Sequence, residues 1–353
     1  MPISATDSIT LAVEHTKQQL FKPFRIGQWT KLAFVGLLAG ELGANGCNRS
    51  NFSLPGPPGS PPHTGIPGSL GIDPALLAAL AALITAAIIT ALAIGIIMMF
   101  VGSVMRFVLF DSLIARECHI RWSWSRRLGA GWRYFIWKVG YILVALAGMG
   151  VVVGIPVAVA FSDGWFRQPK EHLVALVLCG FLLFLVFFIF AVITAVILVL
   201  TKDFVVPQMA LENVDAMEGW RRLWPMMKAE QGAYAAYIGI KIVLAIVASI
   251  FIAIATAILG VIIAIPSIGL GVLAFLTGRA AGLTWTAPTI ALAAVIGGVL
   301  LAIFLYLVSL VSVPAIVFFP AYSMYFFAAR YPQLASVLYP ALPASQVAVG
   351  LAR

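Results

Sequence analysis

Apolar positions fall in six long runs: Trp29–Gly46, Ala75–Met105, Tyr134–Phe161, Leu173–Thr201, Ala233–Ile265 and Thr289–Val311. Each reaches the roughly 17–25 residues that an α-helix needs to cross a ~30 Å hydrocarbon core. The pattern therefore predicts an all-α, polytopic helical membrane bundle with six transmembrane helices. The even-numbered runs overshoot the bilayer: Ala75–Phe110 and Thr289–Ala329 would be about 54 and 60 Å long at 1.5 Å per residue. Pro207 follows the fourth run, and Pro314 and Pro320 follow the sixth. Proline removes a backbone donor and kinks or ends a helix. Each even helix is thus expected to break near the cytoplasmic face and continue along it as an interfacial helix. The rival reading makes Val313–Ala329 a seventh span with the C-terminus outside.

Pro207–Trp224 is the clearest amphipathic segment. At 100° per residue, Met209, Ala216, Met217, Trp220, Leu223 and Trp224 share one face, and Asp215, Glu218, Arg221 and Arg222 the other, with Pro225 as the expected stop. Such a helix suits the headgroup layer, and its Met-rich face also suits a partner helix. The N-terminal segment is a weaker copy: Ser4-x-x-Asp7 has capping-box spacing, Ile9, Val13, Thr16 and Leu20 share a face, and Pro23 ends it. Between Ser112 and Tyr134, Trp122, Trp124 and Trp132 intermix with Arg121, Arg126, Arg127 and Arg133, a mixture expected at lipid headgroups. Trp122, Trp124, Arg126, Arg127, Trp220, Arg221, Arg222 and Trp224 are the candidate lipid-interface residues.

Charge sets the threading. The N-terminus and the second, fourth and terminal polar segments hold 4, 6, 4 and 2 Lys/Arg, while the three intervening loops hold 1, 2 and 1. Lys138 and Lys241 lie just inside helix starts, where they can snorkel to the same side. Basic residues stay on the cytoplasmic side, so both termini are expected inside a cytoplasmic (inner) membrane. The net charge of +9 then reads as topogenic charge facing membrane lipids, and nucleic acid is not an expected partner. Hydrophobic residues at 62% and charged residues at 10% exclude an ordinary soluble domain. No apolar h-region precedes Trp29, so the first span is expected to serve as an uncleaved anchor. Cys47 after an apolar run has the outline of a lipoprotein signal, but Ala44, Asn45 and Glu41 fit it poorly, and a plain membrane helix is the better reading. Cys47 is expected outside, Cys118 inside and Cys179 within the fourth span, so no disulfide can form.

One transmembrane domain spans 1–329, with a cytoplasmic tail over 330–353. Within it, 45–74 carries seven of the twenty prolines and almost no charge, which predicts an extended outer loop. The chain also echoes itself. Glu117-x8-Arg126-Arg127-Leu128 recurs as Glu212-x8-Arg221-Arg222-Leu223, and Arg25-x3-Trp29 with Leu38-Ala39-Gly40 recurs as Arg133-x3-Trp137 with Leu146-Ala147-Gly148. These echoes predict three parallel two-helix repeats, 1–108, 109–204 and 205–329. The plan looks like that of mitochondrial carriers, whose Pro-x-[Asp/Glu]-x-x-[Lys/Arg] signature is absent from the odd helices. Phe21-Lys-Pro-Phe-Arg25 before a span and Asp203-Phe-Val-Val-Pro207-Gln-Met-Ala after one resemble uncharacterised bacterial six-helix membrane families. Some of these are named for the membrane domain of glycerophosphodiester phosphodiesterases. That resemblance implies a six-helix membrane domain and carries no catalytic residues.

Little conventional chemistry is visible. Glu41 is the one acid inside an expected span, past the midplane by its distance from Trp29, and a membrane-buried acid points to a proton or substrate route. The bland alternative is a side chain that is protonated or reaches the outer interface. Gly36-x3-Gly40 and Gly150-x3-Gly154 fit close helix packing. His63, Asp73, Asp163, Glu171 and His172 lie on one side without metal-ligand spacing, and no HExxH, phosphate-binding glycine loop or GxSxG occurs. Ser267–Thr277 reads as a re-entrant or interfacial outer segment. The expected function is a non-enzymatic scaffold or partner of other membrane components, with membrane lipids and other membrane proteins as the expected partners and no cofactor. Transport of a small or lipid-like molecule is the alternative, and a lipid-modifying enzyme would need a polar cluster that the sequence does not display.

Overall fold

The computed structural model describes residues 4–22, 24–41, 74–165, 172–280, 282 and 287–339. The expected outer loop at 45–74, apart from Pro74 itself, Cys47, His63, Asp73, Glu171 and the end of the tail lie outside these residues. The fold is all-α, with no strand among the described residues. In order come α1 (Asp7–Phe21), α2 (Ile26–Leu38), α3 (Pro74–Ala115), α4 (Ile120–Ser162) and α5 (Leu173–Leu200). A π-helical turn (Thr201–Val205) leads into α6 (Val206–Glu212), followed by α7 (Ala216–Ala229), α8 (Gln231–Ala280), α9 (Ala287–Val311), α10 (Val313–Ala328) and α11 (Pro332–Leu338).

Five continuous helical stretches, Ala78–Ala115, Ile120–Ser162, Leu173–Glu212, Gln231–Ala280 and Thr289–Ala328, are long and apolar enough to cross a membrane. The most apolar part of each is not buried by the protein at all. Leu83, Leu182 and Leu270 stand 67%, 60% and 67% exposed. So large an apolar surface suits hydrocarbon rather than water, and helices close their backbone hydrogen bonds internally as hydrocarbon requires. The expected first span, Trp29–Gly46, is not among the five. α2 has thirteen residues, about 20 Å at 1.5 Å per residue, and ends in a turn where Gly40 adopts φ +78°.

The packed core sits at one end of the long helices. It gathers Val104–Leu113 of α3, Ala130 and Tyr134 of α4, Leu200–Val206, Tyr234 and Tyr237 of α8, and almost all of α10. Twelve of the sixteen α10 residues are buried. A helix apolar on every side belongs either in a core or in lipid, and here α1, α2, the π turn and α11 surround it. α10 is thus neither an interfacial helix nor a seventh span. α11 continues the core, with Leu334 fully buried, so the tail expected from residue 330 begins as packed structure.

Local details correct several expectations. The fourth helix does not break at Pro207. Proline withholds the donor that the Asp203 carbonyl would receive and crowds that carbonyl; the chain widens into the π turn, with Val206 N–H donating to Thr201 O. The expected Pro207–Trp224 helix is instead two, divided at Asn213 in left-handed conformation, and α7 runs through Pro225 to Ala229. Its core face keeps Ala216 and Leu223, while Met217 and Trp224 are exposed. In α1 the Ser4–Asp7 capping box forms reciprocally, Ser4 N–H donating to Asp7 at 3.4 Å and Asp7 N–H to Ser4 at 3.2 Å. The buried face is Ala12, His15, Thr16, Gln19 and Leu20, and Val13 is exposed. Ser267–Thr277 is ordinary helix within α8, neither re-entrant nor separate.

Candidate functional site

The core end contains a buried cluster of charge. Glu41, just beyond the Gly40 turn, has 3% of its side chain exposed and is hydrogen-bonded to Lys202 of the π turn. Arg106 of α3 faces the same carboxylate at 3.6 Å and donates to the Ala39 carbonyl at 2.5 Å, holding the turn that presents Glu41. Next along the π turn, Asp203 is 2% exposed and accepts from Tyr237 Oη at 2.9 Å and from Lys241 of α8. π-Helical turns inside α-helices are frequent at functional sites. This one delivers consecutive residues, Lys202 and Asp203, to opposite partners within one cluster.

Aromatic rings wall the site on the α8–α10 side. Tyr237 stacks on Tyr322 at 5.1 Å and on Phe326 at 4.6 Å, and Phe204 touches Tyr234, Tyr237 and Phe327. Trp220 of α7 donates to the Thr201 hydroxyl at 3.0 Å and braces the π turn from outside. A cavity of about 30 Å³ lies among Glu41, Arg106, Lys202, Asp203, Ser323 and Met324. By the volume one water needs, it holds about two. Such a space accommodates waters or the polar tip of a larger molecule.

Glu41 therefore has charged partners that its expected depth did not provide. Sequence counting placed Arg106 and Lys202 with the loop charges, whereas both are largely buried, at 13% and 14% side-chain exposure. Lys241, expected to snorkel, is bound to Asp203 instead. Lys138 of α4 lies one helical turn past buried Tyr134, in electrostatic reach of Arg106, and makes no ion pair among the described residues.

The candidate lipid-interface residues divide. Trp122 and Trp224 are 62% and 53% exposed, with Arg126 and Lys228 over their rings, and Arg221 is open. Arg127 is not at the surface: it grips Asp111 with two hydrogen bonds at 2.8 and 2.6 Å and donates to the Ala210 carbonyl at 2.6 Å, tying α3, α4 and α6 together. Arg222 joins Glu212 and Glu218, and Tyr331 donates to Glu212 from the tail. Burial, and then that contact with Glu212, push the Tyr331 hydroxyl above its ordinary pKa. Among the candidate packing glycines, a Cβ at Gly36 would lie 2.4 Å from Ile316 of α10, a true close approach. Gly40 serves the turn, and nothing lies within 4 Å of a Cβ at Gly150 or Gly154, so close packing does not explain them. No group of three His, Cys, Asp or Glu suited to a metal occurs among the described residues.

The chain belongs to a family described as Family of unknown function (DUF7544), whose model matches residues 3–337. Comparison with curated proteins gave no match, and neither did comparison with solved structures.

Proposed function

We propose that this chain is a six-span, non-enzymatic protein of a cytoplasmic membrane, with both termini inside, that transports a small or lipid-like molecule. The observation that carries the reading is the meeting of Glu41, Arg106, Lys202 and Asp203 around a cavity at the base of the long apolar helices, with Lys241 paired to Asp203 behind it. Charges withdrawn from water are costly, and inside membrane proteins they mark pathways. Six spans require one more crossing, between Glu41 and the start of α3 at Pro74, in addition to the five long helices. The inward placing of the core end follows from its Lys and Arg content. Parallel repeats gain support from the site itself: Arg106 near the end of α3 and Lys202 after α5 both address Glu41, and Tyr134-x3-Lys138 of α4 is echoed by Tyr237-x3-Lys241 of α8. The likeness to the membrane domain of glycerophosphodiester phosphodiesterases agrees with a lipid-like substrate and adds no residue to the site.

The experiment is translocation in proteoliposomes containing fluorescent phosphatidylglycerol, with dithionite added outside. Transport bleaches more than the outer-leaflet share of the fluorescence. The paired neutral variant Glu41→Gln/Lys202→Met removes both charges of the hydrogen-bonded pair and leaves Arg106 its bond to the Ala39 carbonyl; it should reconstitute and bleach only that share. Equal bleaching by wild type, variant and protein-free vesicles would end the reading for lipid; proton flux reported by an enclosed pH dye tests it for small solutes.

The scaffold reading rests on a different observation. α7 leaves Met217 71% exposed beside exposed Trp224, a face that fits lipid headgroups or a helix of another membrane protein. It needs no charged cavity, so the paired variant would leave it intact.

A further inference from the structure

α7 keeps one face bare. Met217, Arg221, Trp224 and Lys228 follow at helical spacing along it, and all four are exposed. Ala216, Gly219 and Leu223, on the other side, are buried. The helix crosses the α5–α6 rod rather than continuing it. Trp220 hydrogen-bonds to Thr201 while Arg222 pairs with Glu212 further down, and a Cβ at Gly219 would lie 2.7 Å from Val205. Val205 is two residues below Asp203, whose partner Lys241 directly precedes exposed Ile242 and Val243 of α8. About 3 Å of helix thus separates the crossing from the level where the bare apolar surface of α8 begins. That is inside a headgroup layer of roughly 5–7 Å on each side of the hydrocarbon.

Most charges around α7 cancel. Arg222 joins Glu212 and Glu218, Arg221 meets Glu218 at 3.2 Å, and Arg133 of α4 meets Asp215 at 3.3 Å. Two cations are left over. Lys228 stands over the Trp224 ring at 5.6 Å and Arg126 of α4 over Trp122 at 5.1 Å, and neither has an ion-pair partner among the described residues. Trp122 and Arg126 lie on the same face of α4 as Arg133, the residue that holds the start of α7.

We propose that the bare face of α7, with Trp122 and Arg126 of α4, docks on the anionic phospholipid headgroups of the adjoining leaflet. Met217 and Trp224 enter the boundary between headgroups and acyl chains, and Lys228 and Arg126 pair with lipid phosphates. A partner helix fits this face less well. Helix-in-groove docking wants an unbroken apolar line, whereas the line here reads Met, Arg, Trp, Lys. Packing another helix on it would bury two cations, which headgroups leave hydrated. The inference goes beyond the transport reading and stands whether or not the charged cavity passes a substrate.

The test uses the full-length protein with Met217→Cys in a background without native cysteines, spin-labelled and placed in lipid nanodiscs. The discs are phosphatidylcholine with increasing phosphatidylglycerol. Collision of the label with oxygen, which concentrates in lipid, is compared with collision with a water-soluble nickel chelate. As phosphatidylglycerol rises, the label should pass from chelate-accessible to oxygen-accessible. Lys228→Gln breaks no hydrogen bond or ion pair seen in the structure. It should raise the phosphatidylglycerol content giving half the change by about fivefold, the effect of one cation near such a surface. Arg126→Gln/Lys228→Gln should flatten the response further. A label open to the chelate at every composition would put the face in water, and one shielded from both reagents would put it against a protein; either overturns the assignment. So does oxygen access already complete in phosphatidylcholine alone, or a response that the double variant leaves unchanged. The response of the unmutated face to lipid composition decides the matter even if a variant fails to fold.

Discussion

Glu41 and Lys202 are 161 positions apart in the chain and hydrogen-bond to each other inside the protein. The contact fastens the turn after α2 to the π-helical turn after α5. Both charges are largely withdrawn from water, so each is tolerated because of the other. Removing one partner from such a pair typically costs roughly 3–5 kcal/mol, because the charge left behind has no match. Arg106 remains near Glu41 but only at 3.6 Å, so Lys202→Met should fall within that range. Glu41→Gln should be similarly damaging, and the double variant less so than the two losses together. Denaturant unfolding in micelles measures all three; strictly additive losses would show that the two residues are not coupled.

The same pair shows what the sequence reveals. Glu41 stands out as an acid in an apolar run, and the five long helices stand out because lipid-facing helices are apolar all round. The partners were hidden. Arg106 and Lys202 sit at the ends of apolar runs, where a positive charge ordinarily reports threading, so they were counted as loop residues. Sequence distance from Trp29 placed Glu41 past the midplane, an inference that assumes an unbroken helix; the Gly40 turn breaks it. α10 was ambiguous for a physical reason, since Val313–Ala328 is equally suited to lipid and to a core. The π turn leaves no mark in the hydrophobic pattern beyond Pro207.

Threading gives the second prediction. Cys118 is buried and poorly placed to report sidedness, whereas Asp163 and Met217 are exposed at opposite ends of the helices. In a background without native cysteines, Asp163→Cys should react with an impermeant maleimide in intact cells, and Met217→Cys only after permeabilisation. The opposite pattern would invert the threading and place the charged cluster at the outer face.

Acidification should loosen α1. His15 Nδ1 lies 3.1 Å from the Tyr325 hydroxyl of α10. Burial, and then the Arg116 charge, lowers its pKa below the ordinary 6.5. A base with a lowered folded-state pKa takes up its proton more readily when unfolded, so folding stability rises with pH in this range. The contribution is complete above about pH 6.5 and is lost as pH falls from there toward the folded-state value. Hydrogen exchange of α1 amides, corrected for the intrinsic pH dependence, should show weaker protection at pH 5 than at pH 7.5. His15→Gln should remove the difference. Equal protection at both values in wild type would count against it.

The last prediction separates two glycines that sequence spacing had put in one class. At Gly36 a Cβ would meet Ile316 Cγ2 at 2.4 Å, and that branch carbon cannot swing away without a rotamer change in a buried helix. Overpacking of this kind costs about 1–3 kcal/mol, so Gly36→Ala should weaken the seating of α2 on α10. Because α2 leads directly into the turn that carries Glu41, the loss should also lower affinity for any ligand of the charged cavity. Ile316→Ala opens a gap of its own, yet combined with Gly36→Ala it should recover part of the stability lost by Gly36→Ala alone. Gly150→Ala meets open space and adds a better helix former, so it should be neutral or slightly stabilising. Unfolding midpoints of the four variants in one detergent decide the matter. A Gly36→Ala protein as stable as Gly150→Ala would mean that α2 does not press on Ile316.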